Sequence, residues 1–135
     1  MTVVVDSSAV VAALVDPGPD GRWADELVGH HELVAPHLMA VEVANILRRL
    51  ARAGALAEAE AGMAHVDLIR LRVQLFDYAP FADRVWTLRN NVTAYDALHV
   101  AIAERLDVPL ATLDRRLTTA VGPSCRFLQP PPLGG

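Results

Sequence analysis

The chain has 135 residues, a hydrophobic fraction of 53%, a charged fraction of 21% and a formal net charge of −4. That size and balance point to one globular domain with one core and exclude a disordered chain. The negative charge excludes nucleic-acid binding by broad surface attraction, so any such contact must use a local basic patch or a bound metal.

Thr2–Val5 is a β-branched run that predicts a buried strand. Asp6-Ser7-Ser8 supplies N-cap chemistry for a helix over Ala9–Val15. Asp16-Pro17-Gly18-Pro19-Asp20-Gly21 predicts a loop, Arg22–Val28 a helix and Glu32–Ala35 a second strand. Pro36 is expected to open a longer helix that runs to about Ala53 and stops at Gly54. Met39, Val43, Ile46, Leu47 and Leu50 form its apolar stripe, and Glu42, Asn45, Arg49 and Arg52 lie on another stripe at helical spacing. Ala57–Arg70 reads as a helix, Val73–Phe76 as a strand and Phe81–Arg89 as a helix. Asn90-Asn91-Val92 breaks the pattern, after which Thr93 caps a helix over Ala94–Leu106. Pro109–Thr112 is a short strand, followed by a short helix near Arg116 and a last strand at Arg126–Leu128. Residues 1–129 form the domain; 130–135, three prolines followed by Leu133-Gly134-Gly135, are expected to be a flexible tail. Strands and helices alternate without hairpin signals, which favours a mostly parallel sheet covered by helices on both faces. Functional groups in such sheets gather outside the carboxyl ends of the strands.

Every fixed positive side-chain charge is an arginine, a residue suited to bidentate phosphate contact. Cys125 is the sole cysteine, which excludes an internal disulfide, and no zinc-type Cys/His spacing occurs. His30, His31, His37, His65 and His99 are expected to be surface or packed residues. The apolar run Val3–Val15 lacks a basic leader and is interrupted by Asp6, so it does not read as a signal segment. No uncharged stretch reaches transmembrane length, and the expected location is the cytoplasm.

Most acids, Glu58, Glu60 and Glu104 among them, are expected on solvated helix surfaces. Four stand elsewhere: Asp6 directly after the first strand, Asp114 just after the late one, Asp96 in the first turn of a helix, and Glu42 early in the Pro36 helix. Each has a local explanation. Asp6 and Asp114 are placed as N-caps, Thr93-Ala94-Tyr95-Asp96 resembles a capping box, and Glu42 is placed to pair with Arg49 or to face water. Together they suggest more, because Asp6 and Asp114 fall at one edge of one sheet. Carboxylates gathered there repel unless a cation sits among them. Mg²⁺ takes oxygen ligands, keeps several waters, and suits phosphodiester hydrolysis.

Val3-Val4-Val5-Asp6-Ser7-Ser8-Ala9 resembles the opening of PIN domains, and Glu42 to Arg49 looks like their second motif. Thr93-Ala94-Tyr95-Asp96-Ala97-Leu98-His99-Val100-Ala101 closely resembles the third and Ala111 to Leu117 the fourth. The resemblance spans Thr2 to about Leu128. It implies a three-layer α/β/α sandwich with a mostly parallel central sheet. It also implies metal-dependent RNA cleavage, with Mg²⁺ or substituting Mn²⁺, by the acids matching Asp6, Glu42, Asp96 and Asp114. Single-domain members of this length resemble VapC-type toxins, endoribonucleases held inactive by a small VapB-type antitoxin and commonly homodimeric. Ser7, Ser8 and Thr112 match positions where the family places hydroxyl residues, with local capping the alternative role. Asn45 shares a face with Glu42 and is a candidate to orient it or touch RNA. Arg48, Arg49, Arg52, Arg115 and Arg116 are the candidate RNA phosphate contacts.

Two other readings compete. Receiver domains and haloacid-dehalogenase-like phosphatases also place acids at strand ends, but both rely on a lysine, which this chain lacks, and the phosphatase pair needs an Asp where Ser8 stands. The alternative from a different class is a non-catalytic PIN-like module that binds RNA or protein without cutting.

Overall fold

The computed structural model describes residues 1–132. Five strands form one sheet: β1 (Thr2–Val5), β2 (Glu32–Pro36), β3 (Val73–Phe76), β4 (Leu110–Ala111) and β5 (Phe127–Leu128). Their order is β3-β2-β1-β4-β5 and every pairing is parallel. Val3 pairs with Leu33, and Val4 pairs with both Val34 and Leu110.

The helices are α1 (Ser7–Val15), α2 (Pro19–His30), α3 (Leu38–Arg52), α4 (Glu58–Arg70), α5 (Ala82–Thr87), α6 (Ala94–Leu106) and α7 (Arg115–Thr118), with a 3₁₀ turn at Ala79–Phe81 before α5. The period-2 alternation of the central strands divides their side chains between two cores. Val3, Val5, Leu33, Ala35 and Ala111 pack with Val10, Leu27, Met39, Val43, Leu47 and Leu68, on the face covered by α1–α4. Val4, Val34 and Leu110 pack with Phe81, Val85, Ala97, Val100 and Ala101, on the face covered by α5 and α6. A strand buried on both faces must be apolar at every position, which is why β1 reads Val-Val-Val without alternation. The expected α/β/α sandwich is therefore the observed architecture.

Several element boundaries differ from expectation. Pro36 closes β2 instead of opening α3: it pairs with Phe76, and its fixed φ suits a strand's last residue as well as a helix's first. The Asp16–Gly21 loop is shorter than predicted, since α2 already starts at Pro19 with Asp20 in its first turn. Gly21 lies in that helix because a Cβ there would sit 1.7 Å from the Asp16 carbonyl oxygen. Gly54 does stop α3, with φ +75. Of the expected tail, Pro130 is buried and Pro131 and Pro132 are exposed, while 133–135 lie outside the described residues. Among the described residues no helix is long and apolar enough to cross a membrane.

Candidate active site

The strand order 3-2-1-4-5 reverses between β1 and β4, and the crevice outside their carboxyl ends is the topological switch point of the sheet. Asp6 leaves β1 there, and Asp114 follows β4. Asp6 is 6% exposed and caps α1: its Oδ1 accepts from the Ala9 N–H at 2.9 Å and from the Ser8 hydroxyl at 2.6 Å. The same Ser8 oxygen accepts the Leu113 N–H at 3.0 Å, so one hydroxyl ties the end of β1 to the segment after β4. Thr112 is fully buried and its Oγ1 accepts the Asp114 N–H at 3.0 Å. Asp114 in turn caps α7, its Oδ1 accepting from Arg116 N–H at 3.0 Å and Leu117 N–H at 3.3 Å. Both caps use Oδ1 alone; among the described residues the Oδ2 of each accepts no hydrogen bond.

Asp96 enters from α6, where the Thr93 hydroxyl oxygen accepts the Asp96 N–H at 3.2 Å. Glu42 enters from the second turn of α3. Burial raises the Glu42 pKa above the ordinary carboxylate value; His99 opposes this, and Asp96 and Asp6 add to it. Burial raises Asp96 as well, joined by Asp114 and Asp6 and opposed by His99 and the Thr93 side chain. The four acids thus act on one another across the switch point: Asp6 on both helix acids, Asp96 on Glu42, and Asp114 on Asp96. Glu42 makes no ion pair with Arg49 among the described residues, contrary to one expectation for it, and its Oε1 is buried without a hydrogen-bond partner.

The donor set is all carboxylate, with an unbonded Oδ2 on two members and an orphaned Oε1 on a third. These groups fit a hard divalent cation. Among the described residues no group of three is gathered tightly enough to hold an ion by itself.

Beside the ring, Leu38, Val41, Glu42, Asn45, Ile46, Arg49 and Tyr95 line an open depression of about 390 Å³. Arg49 stands on its wall beside Glu42 and, among the described residues, makes no ion pair. Arg48 is exposed and its Nε donates to Asn45 Oδ1 at 3.1 Å, so the two candidates satisfy each other. Arg115 donates to Gln129 Oε1 at 3.0 Å, and Arg116 and Arg52 are exposed. Ser7 is half-buried and, among the described residues, its hydroxyl makes no hydrogen bond.

One acid differs from its sequence reading. Glu104 is not solvated: it accepts from Arg84 Nε at 2.7 Å and from the Ser124 N–H and hydroxyl, each at 2.8 Å. Burial pushes its pKa up, and the Arg84 and Ser124 hydrogen bonds outweigh that and lower it. His99 is packed, as expected, at 2% exposed, and its imidazole acts on both Glu42 and Asp96. Its place three residues after Asp96, almost one helical turn on, was the available signal. Burial pushes the Cys125 thiol up to about 11, which makes it inert at neutral pH.

A parallel five-stranded sheet covered by helices on both faces defines a PIN-like architecture, and the chain belongs to the PIN-domain family, whose model matches residues 3–122. It is similar to Ribonuclease VapC1 of Mycobacterium tuberculosis, 41% identical over 125 residues that span 92% of this chain and 94% of that protein. Its fold is also that of PAE2754 from Pyrobaculum aerophilum, with TM-score 0.70 and 25% identity over 94% of this chain and 83% of the other. The VapBC2 structure from Rickettsia felis, bound to a DNA fragment from their promoter, shares the fold at TM-score 0.67 and 14% identity, covering 96% and 98% of the two chains. Nucleases with a PIN domain generally use divalent metal ions.

Proposed function

We propose that this chain is a metal-dependent endoribonuclease and the toxin of a toxin–antitoxin pair, with Asp6, Glu42, Asp96 and Asp114 as its catalytic and metal-holding acids. The observation that carries this reading is the convergence of four acids from four separate segments, each acting on its neighbours, with Glu42 Oε1 buried and unpartnered. The ribonuclease name of a relative covering 92% of the chain supports the substrate class. Mg²⁺ is the expected ion, with Mn²⁺ as substitute. The protein works in the cytoplasm as a homodimer, and a small VapB-type antitoxin restrains it.

When bound, the divalent ion supplies Lewis acidity for phosphodiester hydrolysis. Water adds to phosphorus, the P–O bond to the leaving oxygen breaks, one proton leaves the water and one reaches the leaving oxygen. The chain's residues divide that work. Asp6 and Asp114, held by their capping bonds, present fixed oxygens at the strand ends. Glu42 from α3 and Asp96 from α6 would complete the carboxylate set that holds the ion. Arg49, on the wall of the adjoining depression, meets substrate phosphate where a net negative surface otherwise repels it.

Incubation of the purified protein with a mixed RNA pool, with and without EDTA and beside Asp96→Asn, tests the enzymology. Cleavage that needs the ion and fails in the variant is expected. Binding without cleavage would favour the non-catalytic module instead. Strong expression should stop growth and co-expression of the small partner should restore it; growth unaffected by an active chain counts against the toxin role.

A further inference from the structure

The depression beside the acids exposes more apolar surface than a solvated helix face needs. Leu38, Val41 and Ile46 form its wall from α3, and Tyr95 faces them from the first turn of α6. Tyr95 is 54% exposed, Val41 63% and Leu38 36%. Such residues scattered singly mean little, but gathered in one concavity they mark a binding place. The polar groups among them are few. Asn45 has its Oδ1 held by Arg48 Nε at 3.1 Å, which leaves its amide N–H groups to donate. Arg49 makes no ion pair among the described residues. Glu42 lines the same depression and Asp96 directly follows Tyr95, so the hollow adjoins the acids proposed to hold the ion.

An aromatic ring, an apolar wall and a free guanidinium together select one kind of occupant. An unpaired nucleotide offers a flat π-face to the ring, a base of matching thickness to the wall and a phosphate to the guanidinium. We propose that this depression is a base-binding subsite, in which one unpaired RNA base beside the scissile phosphate stacks on Tyr95 while Arg49 holds the backbone. The inference rests on the ribonuclease reading of the acids. Its consequence is selectivity for strandedness. A paired base is stacked between its neighbours and has no free face to turn toward Tyr95, whereas an unpaired base of any identity has one. Tyr95 is thus a specificity-determining residue that selects single strands without reading sequence.

The test follows cleavage of a single-stranded oligoribonucleotide, and of the same strand annealed to its complement, by wild type, Tyr95→Ala and Tyr95→Phe. Alanine suits a helical position and Tyr95 is half exposed, so the fold should hold, and circular dichroism melts check that it does. Tyr95→Ala should raise KM for the single strand by about 5–150-fold, the range for loss of one base–aromatic stack, with kcat nearly unchanged. Its preference for single strand over duplex should narrow by a similar factor. Tyr95→Phe, which keeps the ring, should recover most of both. A second measurement needs no change at Tyr95. The fluorescent base 2-aminopurine is moved along the oligoribonucleotide and bound to uncleaving Asp96→Asn protein; quenching should be greatest at a base adjoining the bond that wild type cuts. Equal quenching at every position overturns the proposal, as does a folded Tyr95→Ala protein with wild-type KM and strand preference. A Tyr95→Ala protein that cuts normally but no longer self-associates or binds its small partner would assign the depression to a protein contact instead. A wild type that cuts no RNA in Mg²⁺ sinks the ribonuclease reading itself, and the subsite with it.

Discussion

Asp6 caps a helix and is one of the four acids proposed to hold the ion, and substitutions separate the two roles. Asp6→Asn keeps an Oδ1 that can accept from the Ala9 N–H and the Ser8 hydroxyl, so the cap survives. Asp6→Ala removes the cap, at about 1 kcal/mol, and strips the Ser8 hydroxyl of its acceptor. Unfolding entropy of about 2.1 cal/mol/K per residue over 135 residues makes each kcal/mol worth about 3.5 °C in Tm. Metal-free Asp6→Ala should therefore melt about 4–7 °C below wild type. Metal-free Asp6→Asn should melt level with wild type or slightly above it, because the charge removed is one that raises both Glu42 and Asp96.

Mg²⁺ reverses the ranking. A ligand at a hundred times its Kd adds about 2.7 kcal/mol, or about 10 °C on the same scale. Binding weakened tenfold by loss of one carboxylate removes about 1.4 kcal/mol of that, or about 5 °C. Asp6→Asn should accordingly show wild-type melting in EDTA, about half the Mg²⁺ shift, and no RNA cleavage. Differential scanning fluorimetry across an Mg²⁺ series, with gel-resolved cleavage beside it, reads all three. An Asp6→Asn protein that cuts RNA normally and gains the full Mg²⁺ shift would show that Asp6 is a helix cap and nothing more.

Other outcomes follow from the same geometry. Ser8→Ala breaks the link from Asp6 to the Leu113 N–H, and should cost about 1 kcal/mol in denaturant melts while lowering cleavage more than the stability loss explains. Glu104→Gln leaves Arg84 without its charge partner and should destabilise by about 1–3 kcal/mol with the Mg²⁺ midpoint unchanged, since the pair lies outside the acidic ring. The pH dependence of metal-free stability should carry both signs. Glu104, lowered in the folded state, contributes stability above its ordinary value that is lost as pH falls through its folded pKa. Glu42 and Asp96, raised in the folded state, make stability fall as pH rises from the ordinary carboxylate value through their raised ones. Denaturant melts in EDTA from acid to neutral pH should show a maximum; in Glu42→Gln the fall on the alkaline side should shrink, and an unchanged fall would remove Glu42 as its cause.

The layering was legible because short apolar strands alternate with helices and α3 carries a clear apolar stripe. A Val-Val-Val strand has no polar face, and without alternation it announces burial on both sides. The helix Ala94–Leu106 was placed to the residue because Thr93 caps it, and α3 stopped where Gly54 allows positive φ. Pro36 misled because its fixed φ serves a strand end and a helix start equally, and only the pairing with Phe76 decides between them. Glu104 misled because helical periodicity reports which side of a helix a residue occupies, not what a distant turn brings to it. Its partners Arg84 and Ser124 are each 20 positions away.

For Asp6 and Asp114, capping and the proposed function look like competing explanations, and the geometry leaves room for both. A carboxylate has two oxygens, and the caps at Asp6 and Asp114 each spend only one. The cap is what makes the other oxygen useful, since an acid pinned to backbone N–H groups at the end of a buried strand has little freedom left to lose when it binds an ion. Sequence can locate such an acid by its capping pattern, but it cannot show that a second oxygen is spared or that a histidine one turn further along α6 lies in the same field. That information resides in the strand order. Only when β1 and β4 lie side by side do Asp6 and Asp114, 108 positions apart in the chain, come to the same crevice, with α3 and α6 closing over it from opposite faces of the sheet.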